Sequence, residues 1–143
     1  MEKIKAFGIC LYKFNKDSIE LLLCKSVLSH NRWGFLKGVA LKGESEEETA
    51  IREFSEESGI DVDEKYLEDF FMQKNEFKNI GIYLVNAKNI RHLEEFFKDG
   101  LLKKVYLSHE NSEVKFFDIK HLPLIKKKQL FLTKEIVKFL GKD

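Results

Sequence analysis

The residues best suited to chemistry in this chain are three glutamates, Glu53, Glu56 and Glu57, which follow Arg52. In a helix, residues three and four positions apart lie on one face, so these carboxylates would converge. Carboxylates held this close repel one another unless a cation lies between them. Oxygen ligands of this kind suit Mg²⁺ or Mn²⁺, so the spacing predicts a divalent-metal site.

The sequence around the glutamates predicts a helix with defined ends. Ser45 followed by Glu48 is typical of a capping box, and Gly59 is typical of a left-handed residue that ends a helix. The opposite side is apolar, as a side facing a core would be: Ala50, Ile51 and Phe54. The plain alternative is a solvated acidic face, which is the usual role of a run of charges.

The run from Gly38 to Ile60, GVALKGESEEETAIREFSEESGI, resembles the Nudix box, G-x5-E-x7-R-E-U-x-E-E-x-G-U with U a bulky apolar residue. Every fixed position matches, with Glu44 as the first glutamate and Phe54 where the family more often has an aliphatic residue. The resemblance implies an α/β protein, a Nudix-type α/β/α sandwich with a mixed sheet. In that fold the box forms a loop, a helix and a second loop.

The resemblance also assigns roles to the residues of the box. Glu53, Glu56 and Glu57 would bind the metal together with the backbone carbonyl of Gly38, where the lack of a side chain allows a close approach. Mg²⁺ is the implied cofactor, with Mn²⁺ as a substitute. Arg52 would hold the glutamates in place, although an ordinary helix ion pair with Glu56 explains that contact equally simply.

A general base is the remaining catalytic role, and in Nudix enzymes it is filled by a box glutamate or by one on a later loop. The later glutamates here are Glu110 and Glu113 in SHENSEVKFFDI, which resembles the S-E-E-H-x-E-x-x-W stretch of diadenosine polyphosphate hydrolases. We favour Glu110, with Glu53 and Glu113 as alternatives. A solvated loop charge is the competing explanation for both later residues.

The segment WGFLKGVALKGES resembles W-x-x-P-K-G-x-x-x-x-G-E-S of dinucleoside polyphosphate hydrolases and the related RNA pyrophosphohydrolases, with Leu36 in the proline position. The resemblance implies that Lys37 reaches a substrate phosphate. Phe77 stands where the dinucleoside polyphosphate group has a tyrosine, and it is interpreted either as a ring that stacks on a base or as strand core. Lys78 is a second phosphate-binding residue on this segment.

Together these features predict Mg²⁺-dependent hydrolysis of a pyrophosphate bond in a substrate that contains a nucleoside diphosphate. A dinucleoside polyphosphate such as diadenosine tetraphosphate, or the 5′-triphosphate end of an RNA, is the leading substrate. A nucleoside triphosphate, oxidised or not, is the alternative. A different class, a non-catalytic module that senses nucleotides or binds proteins, has little reason to keep three carboxylates that repel one another.

Composition sets the context for this activity. The chain has 143 residues and a net charge of +1, which fits one domain over residues 1–143 and gives no overall field for a polyanion or a membrane. No apolar run approaches the roughly 20 residues that span a bilayer, and we expect a cytoplasmic protein. Cys10 and Cys24 are predicted to be free buried thiols on a hairpin whose register leaves them either opposite each other or on opposite faces.

The remaining elements are expected to build the sheet and its cover. Residues 4–14 and 19–27 are predicted to form a hairpin. Trp33 and Phe35 are predicted to share one face of a short strand and to pack in the core, with stacking on a base as the alternative. Further strands are predicted at 66–74, 77–87, 103–107 and 113–119. Residues 89–100 are predicted to form an amphipathic helix or an ordered loop. Residues 126–140 are predicted to form a closing helix whose first lysines are solvated and whose inward side carries Leu130, Ile136, Val137 and Leu140.

Overall fold

Apolar runs rich in Ile, Leu and Phe form one nine-stranded sheet within residues 2–142, the part of the chain that this computed structural model describes. The strands are β1 (Ile4–Asn15), β2 (Ser18–Ser26), β3 (Trp33–Gly34), β4 (Leu36–Val39), β5 (Phe70–Lys74), β6 (Lys78–Asn86), β7 (Phe97–Lys98), β8 (Leu101–Leu102) and β9 (Asn111–Asp118). The helices are α1 (Glu46–Ser58) and α2 (Leu130–Leu140). No helix in this described part is long and apolar enough to cross a membrane.

The sheet is mixed, with the order β5-β6-β1-β2-β9-β8-β7. β1 and β6 run parallel, whereas β1 pairs antiparallel with both β2 and β4. The early part of β1 pairs with β4 and its later part with β2, so this one strand joins the two halves of the sheet. The antiparallel pairing with β1 places the Lys37–Gly38 segment of β4 directly beside the strand at the centre of the fold.

The two helices cover opposite faces of this sheet. Phe54 of α1 packs in one core with Ile9 and Leu11 of β1, while Leu132 and Ile136 of α2 pack in a second core. Side chains alternate along a strand, so the same central strands supply both cores. The predicted α/β/α sandwich with a mixed sheet is therefore confirmed.

The hairpin register decides between the two arrangements left open for the cysteines. Tyr12 pairs with Leu21, which sets Cys10 and Cys24 out of register and on opposite faces of the sheet. Cys24 lies in the core under α1 and Cys10 in the core under α2. Both are free and buried, as predicted.

Several predicted elements take a different form. Residues 87–89 and 93–96 form 3-10 turns, followed by the β7–β8 hairpin, so the ordered-loop alternative holds for residues 89–100. His92 and Asp99 have positive φ values of 55° and 53°, which interrupt a right-handed helix. The strand predicted at 103–107 is wrong, because this segment turns back through a hydrogen bond from Tyr106 N–H to the carbonyl of Lys103.

The closing helix starts later than predicted. A 3-10 turn covers Lys127–Gln129 and α2 begins at Leu130. Leu130, expected to face inward, is 41% exposed, while Leu132 is 1% exposed and takes its place in the core. Trp33 packs in the core as expected, edge-on against Phe117 with ring centroids 4.7 Å apart.

Candidate functional site

Helix α1 has the predicted caps at both ends. Ser45 Oγ accepts from the Glu48 N–H at 3.1 Å, and Glu48 Oε1 accepts from the Ser45 N–H at 2.8 Å. Gly59 has φ 77° and its N–H donates to the Ser55 carbonyl at 2.8 Å. These caps fix where the helix begins and ends, and so fix the direction in which the glutamates on its last two turns point.

Gly38 lies where β4 passes closest to α1. A β-carbon built at this position would overlap the carboxyl group of Glu53. Only glycine therefore allows the Glu53 carboxylate to lie against the backbone of β4. This brings together two of the residues predicted to bind the metal.

Arg52 contacts three carboxylates at once. Its Nε and Nη2 donate to the two oxygens of Glu44 at 2.6 and 3.0 Å, in a two-pronged pair. Its Nη1 donates to Glu53 Oε2 at 2.8 Å and to Glu56 Oε2 at 3.1 Å. The guanidinium and the Leu41 N–H lower the pKa of Glu44 to about 2. Arg52 therefore does more than form an ordinary helix ion pair with Glu56, because it also holds Glu44 and Glu53.

Glu57 lies deeper than the other two glutamates and is only 8% exposed. Its Oε1 accepts from Asn111 Nδ2 at 2.9 Å and is 3.9 Å from the thiol of Cys24. Burial raises the pKa of Glu57 to about 7, and the charges of Glu53 and Glu110 add to the rise. Burial also raises the pKa of Glu53, against the opposing effect of Arg52.

The carboxylates are not gathered into a ready-made cluster. Over residues 2–142, no group of three or more His, Cys, Asp and Glu side chains is arranged to hold a metal ion. Glu53 and Glu56 turn to Arg52, and Glu57 turns to Asn111. The donor set nevertheless fits a hard divalent cation: carboxylate oxygens on successive turns, a backbone without a side chain at Gly38, and buried acids whose ionised form lacks a full counter-charge.

The two loop glutamates differ in position. Glu110 lines a cavity of about 140 Å³ together with Glu57, Lys37 and Asn111. Glu113 lies on β9 and instead forms an ion pair with Lys25, with 3.1 Å between Lys25 Nζ and Glu113 Oε2. Of these two residues, only Glu110 shares a cavity with a box glutamate.

A larger cleft of about 460 Å³ adjoins this cavity and shares Ser26, Lys37 and Lys126 with it. Its cationic lining residues are Arg32, Lys37, Lys78, Lys126, Lys127 and Lys128. Burial lowers the pKa of Lys37 to about 8, and the charges of Lys78 and Lys126 lower it further. The substrate-binding lysines predicted from the sequence, Lys37 and Lys78, therefore lie in one cleft.

Phe77 lies apart from this group. It is 67% exposed in the turn between β5 and β6, so it is not strand core. It is also not among the residues that line the cleft, although its neighbour Lys78 is. A role for Phe77 in stacking on a base stays a prediction.

The sequence interpretation missed the lysine segment Lys126–Lys128, which it treated as a solvated helix start. The triplet was visible in the sequence, but its position depends on contacts with distant residues. Trp33 N–H donates to the Leu124 carbonyl at 2.8 Å, and Lys126 N–H donates to the Trp33 carbonyl at 2.9 Å. Asn111, which holds Glu57, was missed for the same reason: no local pattern marks it.

Comparison with known proteins places these features in a family. The family model of the NUDIX domain matches residues 2–138. A solved structure of an Ap4A hydrolase binary complex from C. elegans is similar, with 21% identity over 96% of this chain and 98% of that chain and a TM-score of 0.64.

Two other solved structures extend the likeness. The NUDIX domain of NrtR from Shewanella oneidensis, complexed with ADP ribose, has 15% identity over 99% of this chain and 90% of that chain, with a TM-score of 0.66. The MutT protein from Methanosarcina mazei Go1 has 18% identity over 99% of each chain and a TM-score of 0.62. Comparison by sequence with curated proteins finds no match.

Proposed function

The chain belongs to the Nudix domain family, and from this premise we propose that it hydrolyses a pyrophosphate bond in a substrate containing a nucleoside diphosphate, with Mg²⁺ as cofactor. The family match confirms the predicted class of enzyme, a Nudix pyrophosphohydrolase. One observation carries the finer proposal. A small cavity that contains Glu57 and Glu110 adjoins a larger cleft lined by lysine and arginine side chains.

The carboxylates would supply the metal site. Glu53, Glu56 and Glu57, with the Gly38 carbonyl, would hold Mg²⁺, which neutralises phosphate charge and acidifies the attacking water. For this, Glu53 and Glu56 would exchange Arg52 for the cation. Arg52 would stay anchored by its two hydrogen bonds to Glu44, and so keep the box loop fixed against α1.

Glu110 is the residue we propose as general base. It shares the small cavity with Glu57, and its charge is close enough to raise the pKa of both Glu53 and Glu57. A carboxylate in this position can accept a proton from an attacking water on the side facing the cleft. Glu113 is less suited to this role because Lys25 neutralises it.

A dinucleoside polyphosphate such as diadenosine tetraphosphate is the leading substrate we propose, with an RNA 5′-triphosphate end as a second form of the same chemistry. Lys37 and Lys78 would bind the phosphates beyond the bond that breaks. The likeness to a C. elegans Ap4A hydrolase supports this choice. A nucleoside triphosphate is the alternative, since the same cations would bind a single triphosphate.

The first experiment is the substitution Glu57→Gln, which keeps the side-chain shape and removes the charge. We expect the rate of hydrolysis with Mg²⁺ to fall by at least about one hundredfold, because metal-based neutralisation of charge is worth several kcal/mol. Glu135→Gln, at an exposed position on α2, is the matched control and should retain the wild-type rate. Near wild-type turnover by Glu57→Gln would remove Glu57 from the metal site.

Product identification then separates the substrates. The purified protein is incubated with diadenosine tetraphosphate, nucleoside triphosphates, ADP-ribose and RNA bearing a 5′-triphosphate. Adenosine mononucleotides from diadenosine tetraphosphate, or pyrophosphate and 5′-monophosphate RNA from the last of these, support the leading proposal. Release of pyrophosphate from nucleoside triphosphates alone favours the alternative. A shift in melting temperature with nucleotide but no product from any of them would identify the non-catalytic class.

A further inference from the structure

We propose that the lysine segment Lys126–Lys128 is a polyphosphate-binding subsite, and that the cleft selects substrates by their number of phosphates rather than by stacking on a base. The inference rests on the proposed function, because the cleft reaches Glu57 through Lys37 and Lys126. It goes further in naming what the far part of the cleft binds.

The lysine segment is held in place from the side of β3. Lys126 N–H donates to the Trp33 carbonyl at 2.9 Å, and Arg32 Nη1 donates to the Ile125 carbonyl at 2.9 Å. Gln129 is 2% exposed, and its Oε1 accepts from the Phe35 N–H at 2.8 Å. The backbone that carries the lysines is therefore fixed by buried contacts on this side.

The sheet edge on the other side holds the same segment. Gln73 Nε2 donates to the Lys127 carbonyl at 3.3 Å, and Asn75 Nδ2 donates to the Lys128 carbonyl at 3.1 Å. Gln73 also accepts the Leu132 N–H at 3.0 Å through its Oε1, which ties the first turn of α2 to β5. Backbone held from two sides reduces the entropy lost when its lysines order around an anion.

The cleft concentrates positive charge without a carboxylate among its described lining residues. Its six cationic side chains are Arg32, Lys37, Lys78, Lys126, Lys127 and Lys128. Repulsion among them costs free energy when no anion is bound. A polyanion would relieve this repulsion. A phosphate carries roughly one to two negative charges, so these cations match a chain of about four phosphates.

Among residues 2–142, none that lines this cleft offers a phenyl, phenol or indole face for a base. Apart from His30, its described non-cationic residues are small, aliphatic or amide side chains, namely Ser26, Leu28, Ser29, Ile80 and Gln129. Trp33 is close in sequence but packs in the core against Phe117. Base stacking contributes to binding where aromatic rings are present. Without such a ring in the lining, phosphate contacts dominate recognition.

Binding of inorganic polyphosphates tests this subsite without any hydrolysis. The wild-type protein in EDTA is titrated by calorimetry with pyrophosphate, tripolyphosphate and adenosine. It is also titrated with diadenosine tetraphosphate (Ap4A) and diguanosine tetraphosphate (Gp4G). We expect tripolyphosphate to bind at least about threefold more tightly than pyrophosphate, because its additional phosphate can contact a further lysine of the cleft. The dissociation constants of Ap4A and Gp4G should agree within about threefold, and adenosine should not displace bound tripolyphosphate.

Two double variants of equal charge change localise the effect. Lys127→Ala/Lys128→Ala should weaken tripolyphosphate binding by about tenfold, since two contacts are lost. Lys134→Ala/Lys138→Ala, at exposed positions of α2 outside this cleft, should change it by less than about twofold. Melting curves of both variants report whether each is folded. Should the first variant fail to fold, the single variants Lys127→Ala and Lys128→Ala, both at exposed positions, carry the same test, with an expected loss of about threefold each.

The subsite is overturned if the two double variants bind tripolyphosphate equally, or if wild-type tripolyphosphate binding does not weaken with salt. Selection by phosphate number is overturned if adenosine competes as well as tripolyphosphate, or if Ap4A and Gp4G differ by more than about tenfold. These outcomes are independent of the Glu57→Gln assay, because EDTA removes the metal. If Glu57→Gln loses turnover while the two double variants bind tripolyphosphate equally, the proposed hydrolase activity is supported and the proposed subsite is contradicted.

Discussion

At the scale of single residues, Arg52 determines how the acidic side chains lie in the structure described here. It holds Glu44 with two hydrogen bonds, while Glu53 and Glu56 share the single nitrogen Nη1. The contact with Glu44 is more constrained than those with Glu53 and Glu56, because two parallel hydrogen bonds fix the guanidinium and the carboxylate. Arg52 can therefore release two carboxylates to a cation and still hold the loop before α1 against the helix.

The Glu44–Arg52 pair should make stability depend on pH in the acid range. The folded-state pKa of Glu44 is about 2, below its ordinary value of 4.5. A depressed acid pKa contributes stability that is present above about pH 4.5 and is lost as pH falls through about 2. We expect Glu44→Gln to lower the free energy of unfolding at pH 6, with a difference from wild type that shrinks towards pH 3.

Chemical denaturation at a series of pH values measures this difference. Glu135→Gln serves as the control, because it removes a glutamate from an exposed position on α2. A difference between wild type and Glu44→Gln that stays constant from pH 6 to pH 3 would contradict the assigned ion pair.

Residues that act through local spacing could be predicted from the sequence. The caps of α1 depend on Ser45, Glu48 and Gly59, which are close to the helix in sequence, and they were correctly predicted. Asn111 could not be found in this way. It is 54 positions from Glu57, and only the fold brings its amide to the buried carboxylate.

At the scale of elements, the segment before α2 is positioned by side chains rather than by a regular strand. Gln129 takes the place of a neighbouring strand by accepting the Phe35 N–H. Gly34 is part of the same contact, since a β-carbon there would lie 2.6 Å from Gln129 Oε1. One buried amide thus links the residues just before the box to the lysine segment.

Replacing this amide should cost both stability and binding. Gln129→Ala leaves the buried Phe35 N–H without a partner, which costs about 1–3 kcal/mol in the free energy of unfolding. It should also weaken tripolyphosphate binding, because the lysine backbone loses one of its supports. Asn75→Ala removes a comparable bond near solvent and should cost about 0.5 kcal/mol or less. Equal losses for both variants in denaturation would contradict the special role of Gln129.

The elements that sequence patterns misjudged share a physical cause. Residues 89–100 carry apolar residues at helical spacing, but a left-handed His92 and the Asp99–Gly100 turn fold them into short turns and a hairpin. Tyr106, expected in a strand, packs instead on Phe96 with ring centroids 4.8 Å apart. In both segments tertiary packing outweighs local propensity.

At the scale of the whole molecule, opposite charges are separated along the chain and joined in space. Glu57 of α1 and the lysine segment before α2 are about 70 positions apart in the sequence, yet the two cavities they line adjoin. The net charge of +1 gives no indication of this local arrangement of opposite charges. Only the fold brings Glu57 and Glu110 beside the cationic cleft.

The three glutamates of α1 that we propose as metal ligands should make the melting temperature depend on Mg²⁺. A ligand at about one hundred times its Kd stabilises the folded state by about 2.7 kcal/mol, a rise of roughly 5 to 10 °C for a domain of this size. We expect this rise in the wild-type protein and its loss in Glu53→Gln/Glu56→Gln. Calorimetric melting at constant ionic strength, with Glu135→Gln as the control, measures it. An undiminished rise in the double variant would place the metal elsewhere.

The two thiols lie on opposite sides of the sheet, and this separation turns them into independent reporters. Cys10 lies beneath α2, whereas Cys24 lies beneath α1 and also lines the small cavity with Glu57. A thiol reagent would reach Cys10 only when the α2 layer opens, while Cys24 can be reached from the cavity. Alkylation of Cys10 would thus report the opening of the α2 layer, and alkylation of Cys24 would report access to the cavity. A bound nucleotide would slow the second reaction by covering the cavity.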